Sequence, residues 1–182
     1  MKKIFYNHCG FTVLELVTVM FIIAILVTIF MANFRGFEHR SVLDSEVQQL
    51  ASVIRQAQIW ALTGQTIDGV RYNYGVHISQ CASGNCTYYL FKDDETTGDK
   101  KYVAGEELTD GGTYTMLKGA YIDSVTPAVS QQLDIVFVPP YAKVYFNGLQ
   151  EVTTAQIVFK HTVFSDQKII DIDLESGQIS TP

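Results

Sequence analysis

From Phe11 to Ala32 the chain is apolar on every side, and Glu15 is the only formal charge in those 22 residues. At a rise of about 1.5 Å per residue, a helix of that length reaches roughly 33 Å, enough to cross a hydrocarbon layer of about 30 Å. Charge returns in Phe34-Arg35-Gly36-Phe37-Glu38-His39-Arg40, and the apolar pattern then narrows to one stripe. Leu43, Val47, Leu50, Ile54, Ala57 and Ala61 recur at steps of four and three, which places them on a single helical face. Ser41 and Asp44 could start a new turn, but the stripe predicts that the helix runs through them. Thr63-Gly64 predicts the stop, with Gly64 taking the left-handed conformation. The expectation is one helix of about 50 residues, apolar all round at first and one-sided afterwards, whose second part needs a cover.

Beyond Asp68 the period changes to two. Val70–Ile78, Thr87–Phe91, Thr113–Leu117, Leu133–Val138, Lys143–Phe146 and Ala155–Phe164 are rich in β-branched and aromatic residues and read as strands. Ile170, Ile172 and Leu174 alternate with Asp171 and Asp173 before Glu175-Ser176-Gly177 turns the chain into Gln178-Ile179-Ser180. Asp110-Gly111-Gly112 and Asn147-Gly148 are further turn signals, and Pro139-Pro140 marks a strand end. The predicted class is α+β: one long N-terminal helix packed against an antiparallel β-sheet domain.

The segment before the apolar run has its own logic. Lys2 and Lys3 make a basic start, and Gly10 is the small residue just ahead of Phe11. An ordinary secretory signal places small residues after its apolar stretch. Cleavage after Gly10 would instead leave the apolar helix on the mature chain. This order resembles the class III signal of type IV prepilins and type II secretion pseudopilins: a short basic leader, Gly10, Phe11-Thr12, then Leu14-Glu15-Leu16 opening an apolar run. The resemblance implies cleavage between Gly10 and Phe11 and N-methylation of Phe11, both by a prepilin peptidase. It also implies that Glu15 pairs with the N-terminal amine of a neighbouring subunit. Physical chemistry points the same way. A charge in the hydrocarbon centre costs about 2.5–3.5 kcal/mol on insertion scales and less near the interface, so an amine and a carboxylate there compensate one another. The competing reading is a signal anchor with an incidental acid. Major pilins usually carry a proline where this chain has Ala32; Asn33 and Gly36 are the weak helix formers nearby.

The body of the chain is similar to the type II secretion protein H/FimT family. Ile54-Arg55-Gln56-Ala57-Gln58-Ile59 resembles its helix-end pattern, Tyr74–Ile78 and Tyr89–Asp93 its first sheet, and Leu174–Ile179 its last hairpin. The resemblance implies a minor pilin or pseudopilin, present in few copies near a filament tip. The implied organisation is a leader over 1–10, a transmembrane and filament-core helix over 11–32, an amphipathic continuation over 33–64, and a globular β-rich domain over 65–182. The implied location is a single pass through a bacterial inner membrane with the globular domain in the periplasm, then a pilus or pseudopilus. Implied partners are the peptidase, other pilin or pseudopilin subunits, the inner-membrane assembly platform and, before assembly, lipid. The alternative is a DNA- or ligand-binding minor pilin of a competence or adhesion pilus.

Charge argues against nucleic acid as a partner. The formal charge is −6, and loss of Lys2 and Lys3 would make it −8. The final eight residues, Glu175–Pro182, hold no Lys or Arg, whereas phosphate binding is driven by those residues.

Three cysteines are present, and Cys9 lies in the leader. Cys81 and Cys86 flank Ala-Ser-Gly-Asn, a spacing that suits a disulfide-closed loop in an oxidising compartment. Reduced thiols are the other reading, and a metal would need more ligands. The acidic segment 93–99 offers Asp93, Glu95 and Asp99 as weak calcium candidates. It fails the EF-hand template, because the twelfth position from Asp93 is Ala104, so a solvated turn is the leading expectation. His39, His77 and His161 show no ligand spacing and read as surface or satisfied sheet residues. Trp60, off the main stripe, reads as an anchor on the flank of the sheet, and Asp171 and Asp173 as protective charges on a sheet edge. No Gly-x-Ser-x-Gly, His-Glu-x-x-His or phosphate loop is present, so a structural subunit without cofactor is expected rather than an enzyme.

Overall fold

The long helix is present as α1, Val13–Thr63, in the computed structural model. The structure describes residues 12–82, 85–93, 99–109, 111–116, 119–150, 152–163, 165–173, 175 and 177–181. Thr12 caps α1: its hydroxyl accepts the Glu15 N–H at 3.2 Å, and its carbonyl accepts the Leu16 N–H at 3.2 Å. The other end closes as the glycine signal predicts. Gly64 has φ +63°, the Gly64 N–H donates to the Ala61 carbonyl at 3.3 Å, and the Gln65 N–H donates to the Trp60 carbonyl at 2.9 Å. These are the paired bonds of a Schellman cap.

By its contacts the chain divides into two compact units, Met1–Glu38 and His39–Pro182. In the first, Val13–Met31 is long and apolar enough to cross a membrane, and its side chains are exposed. Its threonines are satisfied locally: the Thr18 and Thr28 hydroxyls donate to the Leu14 and Ala24 carbonyls at 2.8 Å each. That leaves no hydroxyl hydrogen unpaired on an otherwise apolar surface.

In the second unit the predicted stripe is the buried face of the helix. Leu43, Val47, Leu50, Ile54, Ala57 and Ala61 all lie in the core. Among the described residues eleven strands follow. β1 (Thr66–Ile67) and β2 (Val70–Arg71) form a small hairpin around Asp68-Gly69, both with positive φ. β3 (Asn73–Ser79), β4 (Thr87–Asp93), β5 (Thr113–Thr115), β7 (Gln132–Val138) and β8 (Lys143–Phe146) make an antiparallel sheet ordered β5-β4-β3-β7-β8. β6 (Ala120–Thr126), β9 (Thr154–His161), β10 (Gln167–Asp173) and β11 (Ile179–Ser180) make a second antiparallel sheet ordered β11-β10-β9-β6. On the first sheet Tyr74, Val76 and Ile78 face inward, flanked in register by Phe137, Ile135 and Leu133. Ile122, Ile157, Phe159, Ile170 and Ile172 supply the inner face of the second, and all join the helix stripe in one core. Trp60 is half-buried and meets the Tyr74 ring edge-on at 5.3 Å.

The α+β, pilin-like architecture therefore stands, with several corrections. The domain holds two principal sheets rather than one. The segment Val70–Ile78 breaks at Tyr72, and its first two residues pair with β1 instead of continuing β3. β6 was not predicted. A bulge between Ile122 and Ser124 sets Ile122 and Val125 three residues apart while both point inward, which erases the period-two signal. Asp171 and Asp173 are not edge charges, because β10 lies between β9 and β11.

Candidate functional site

Two regions carry candidate chemistry, and only the first was singled out in the sequence. The first is the start of α1. Gly10 and Phe11 lie outside the described residues. Glu15 is the third residue of α1 and is exposed. An acid in a first turn lies where the helix dipole favours negative charge. Among the described residues the Glu15 carboxylate has no partner, while its backbone N–H donates to the Thr12 hydroxyl.

The second region is the face of the five-stranded sheet turned away from the core. Here Gly75, His77 and Ser79 of β3 alternate with the inward residues. Gly75 is required by its neighbour: a Cβ there would sit 2.6 Å from the Phe91 ring and 2.8 Å from the Ile135 carbonyl oxygen. His77 is buried and bonds through Nδ1 to Asp134 Oδ1 at 2.6 Å, while Ser79 Oγ meets its Nε2 at 3.1 Å. Tyr102 stacks on the His77 ring at 4.2 Å and parallel to Tyr89 at 5.7 Å. Its backbone N–H donates to Asp134 Oδ2 at 3.3 Å. The Tyr102 hydroxyl donates to Glu107. Burial, then this bond, pushes the Tyr102 phenol up, and the same bond is the main cause of a lowered Glu107 carboxyl. Asn147, in the Asn-Gly turn after β8, closes the array: its Oδ1 accepts the Asp134 N–H at 2.8 Å and its amide donates to the Pro127 carbonyl at 3.1 Å.

Cys81 and Cys86 form a disulfide, with Cα atoms 5.8 Å apart, inside the ordinary range. Their loop is stitched to both sheets: the Cys81 N–H donates to the Ile122 carbonyl at 3.0 Å, and the Cys86 carbonyl accepts the Met116 N–H at 2.8 Å. Asp93 is not a solvated turn residue. It is fully buried and accepts from the Asn73 side-chain amide at 3.0 Å. Asp99 accepts from the Lys101 N–H at 3.4 Å, and Glu95 lies outside the described residues. Among the described residues no group of three or more His, Cys, Asp or Glu side chains is placed to hold a metal. His161 is buried and accepts the Val163 N–H at 3.2 Å. The side chain of His39 lies outside the description.

The array of Ser79, His77 and Asp134 was missed in the sequence. His77-x-Ser79 on one strand was a partial signal, since residues two apart share a face. Asp134 is 57 positions from His77, and only the β3–β7 pairing, His77↔Asp134, joins them.

Residues 6–31 match the family model of the prokaryotic N-terminal methylation motif. The match covers the apolar segment and the residues just before it, and it supports a type IV pilin-like chain. A peptidase substrate that assembles with other pilins, and a structural subunit more typically than an enzyme, go with that motif. The chain matches no curated protein and no solved structure.

Proposed function

We propose that this chain is a minor pilin or pseudopilin subunit. It is cut between Gly10 and Phe11, N-methylated on Phe11, and drawn from the membrane into a type II secretion pseudopilus or a type IV pilus. The observation that carries the reading is Glu15, the lone acid at the head of a span exposed along Val13–Met31, within a matched methylation motif. An unpartnered carboxylate on an apolar helix is costly in lipid and is relieved when a neighbour's amine reaches it. Assembly is then selective: a subunit out of register leaves both charges unpaired. The globular unit, joined to this helix and closed by Cys81–Cys86, fits an oxidising exterior.

The test is Glu15→Ala in the native host. The expected result is a normal amount of the variant in membranes and its loss from the sheared filament fraction. Entry into filaments at wild-type yield would overturn the role of Glu15. A clean deletion sorts the machine. Lost enzyme secretion with intact pili identifies a pseudopilus subunit, and lost pili with normal secretion a pilus subunit.

A further inference from the structure

Ser79, His77 and Asp134 have no role in the assembly reading proposed above, yet they are ordered as nucleophile, base and orienting acid. The Asp134 carboxylate only accepts, so His77 Nδ1 carries a proton and donates to it at 2.6 Å. Nε2 of the neutral ring is then an acceptor, and the Ser79 hydroxyl donates to it at 3.1 Å. This is the tautomer that a general base needs. Tyr102 stacks on the imidazole at 4.2 Å, and Tyr102 N–H and Asn147 fix Asp134 from two further sides. The base is thus held in one orientation, while Ser79 is half-buried and keeps an approach from solvent.

A cavity adjoins the triad through Asp134, although Ser79 and His77 are not among its lining residues. Gln132 is the register partner of Ser79, so both side chains rise from the same face as direct neighbours. Gln132 also lines that cavity, of about 180 Å³, with Lys101, Tyr102, Val129, Asp134 and Asn147. Gln132, beside Ser79, and Lys101, on the same cavity, carry side-chain N–H groups of the kind that stabilise an oxyanion, and Val129 adds an apolar side chain to that lining.

We propose that Ser79 is the nucleophile of an acyl-transfer site for small activated esters. Ser79 Oγ attacks the carbonyl carbon and its proton passes to His77 Nε2. The bond to the leaving alcohol breaks, and that oxygen takes the proton from Nε2. Water then attacks the acyl-serine, passing a proton through Nε2 to Ser79 Oγ, and the carboxylic acid departs. Asp134 is a positioning residue, acting through His77.

The test uses the full chain in detergent with a fluorophosphonate probe, which forms a bond to an activated serine and releases fluoride. Peptide mapping should place the adduct on Ser79. Ser79→Ala should abolish it, and His77→Gln should slow it about 100-fold, the contribution of a general base. Glu15→Ala should label at the wild-type rate, so a failure here is separate from a failure of the assembly reading. If His77→Gln loses the native circular dichroism spectrum, Asp134→Asn makes the same comparison through the orientation of the ring. Wild-type protein without an adduct on Ser79 overturns the proposal. So does equal labelling of a folded His77→Gln or Asp134→Asn variant.

Discussion

A single hydroxyl shows how this core balances packing against polarity. Tyr88 on β4 is 1% exposed and stacks on Tyr114 at 5.2 Å, yet among the described residues its hydroxyl has no hydrogen-bond partner. A buried polar group without a partner costs about 1–3 kcal/mol. Burial above all, and then the nearby Glu46 and Tyr114, raise the Tyr88 phenol above the ordinary tyrosine value. The sign for stability follows. Above about pH 10 the unfolded chain gives up this proton and the folded chain keeps it, so the folded state loses stability as pH rises. Tyr88→Phe removes both penalties while keeping the ring. Urea denaturation should show the variant more stable than wild type by about 1 kcal/mol at neutral pH, with a margin that widens under alkaline conditions. A lower midpoint would mean that the hydroxyl has a partner in solution.

Elements were legible where one period persisted. The helix stripe was readable because it repeats without interruption for five turns, and all six of its predicted residues are buried. β8 was read to the residue, framed by Pro139-Pro140 before it and Asn147-Gly148 after it. The bulged β6 was not legible, and neither was the His77–Asp134 pairing, because each depends on how strands meet rather than on what any one strand contains. The cysteine loop lies between these cases: its closure was readable from spacing, its tethers to Ile122 and Met116 were not. The disulfide joins residues five apart, and chain entropy for so short a loop gives about 2 kcal/mol. Replacing both Cys81 and Cys86 by Ala should lower stability by about that amount in urea unfolding. Reductant should then shift the midpoint of the wild type and leave the variant unmoved. A variant as stable as oxidised wild type would show that the backbone tethers alone hold the loop.

For the whole molecule, the decisive event is the exchange of one environment for another by an exposed apolar helix. In the proposed assembly, Val13–Met31, which is long and apolar enough to cross a membrane, leaves acyl chains for copies of itself or of other pilins. The hydrophobic effect changes little in that exchange, because acyl chains are as apolar as the side chains, so packing fit and polar groups carry the specificity, and Glu15 is the charged one within that span. Its proposed partner exists only after cleavage, because an amine on Phe11 is an amide before it. Gly10→Val tests this ordering, since a branched side chain replaces the small one beside the scissile bond. Intact-mass analysis should show wild-type protein shortened by the ten residues before Phe11 and the variant at full length, retained in membranes and absent from filaments. The pairing argument adds a stricter expectation. If cleavage and Glu15 serve one interaction, Gly10→Val combined with Glu15→Ala stops at the same step as Gly10→Val alone, uncut and retained in membranes, because the second change removes a partner already lost. A double variant trapped at an earlier step than both single variants would show that the acid and the cut act separately.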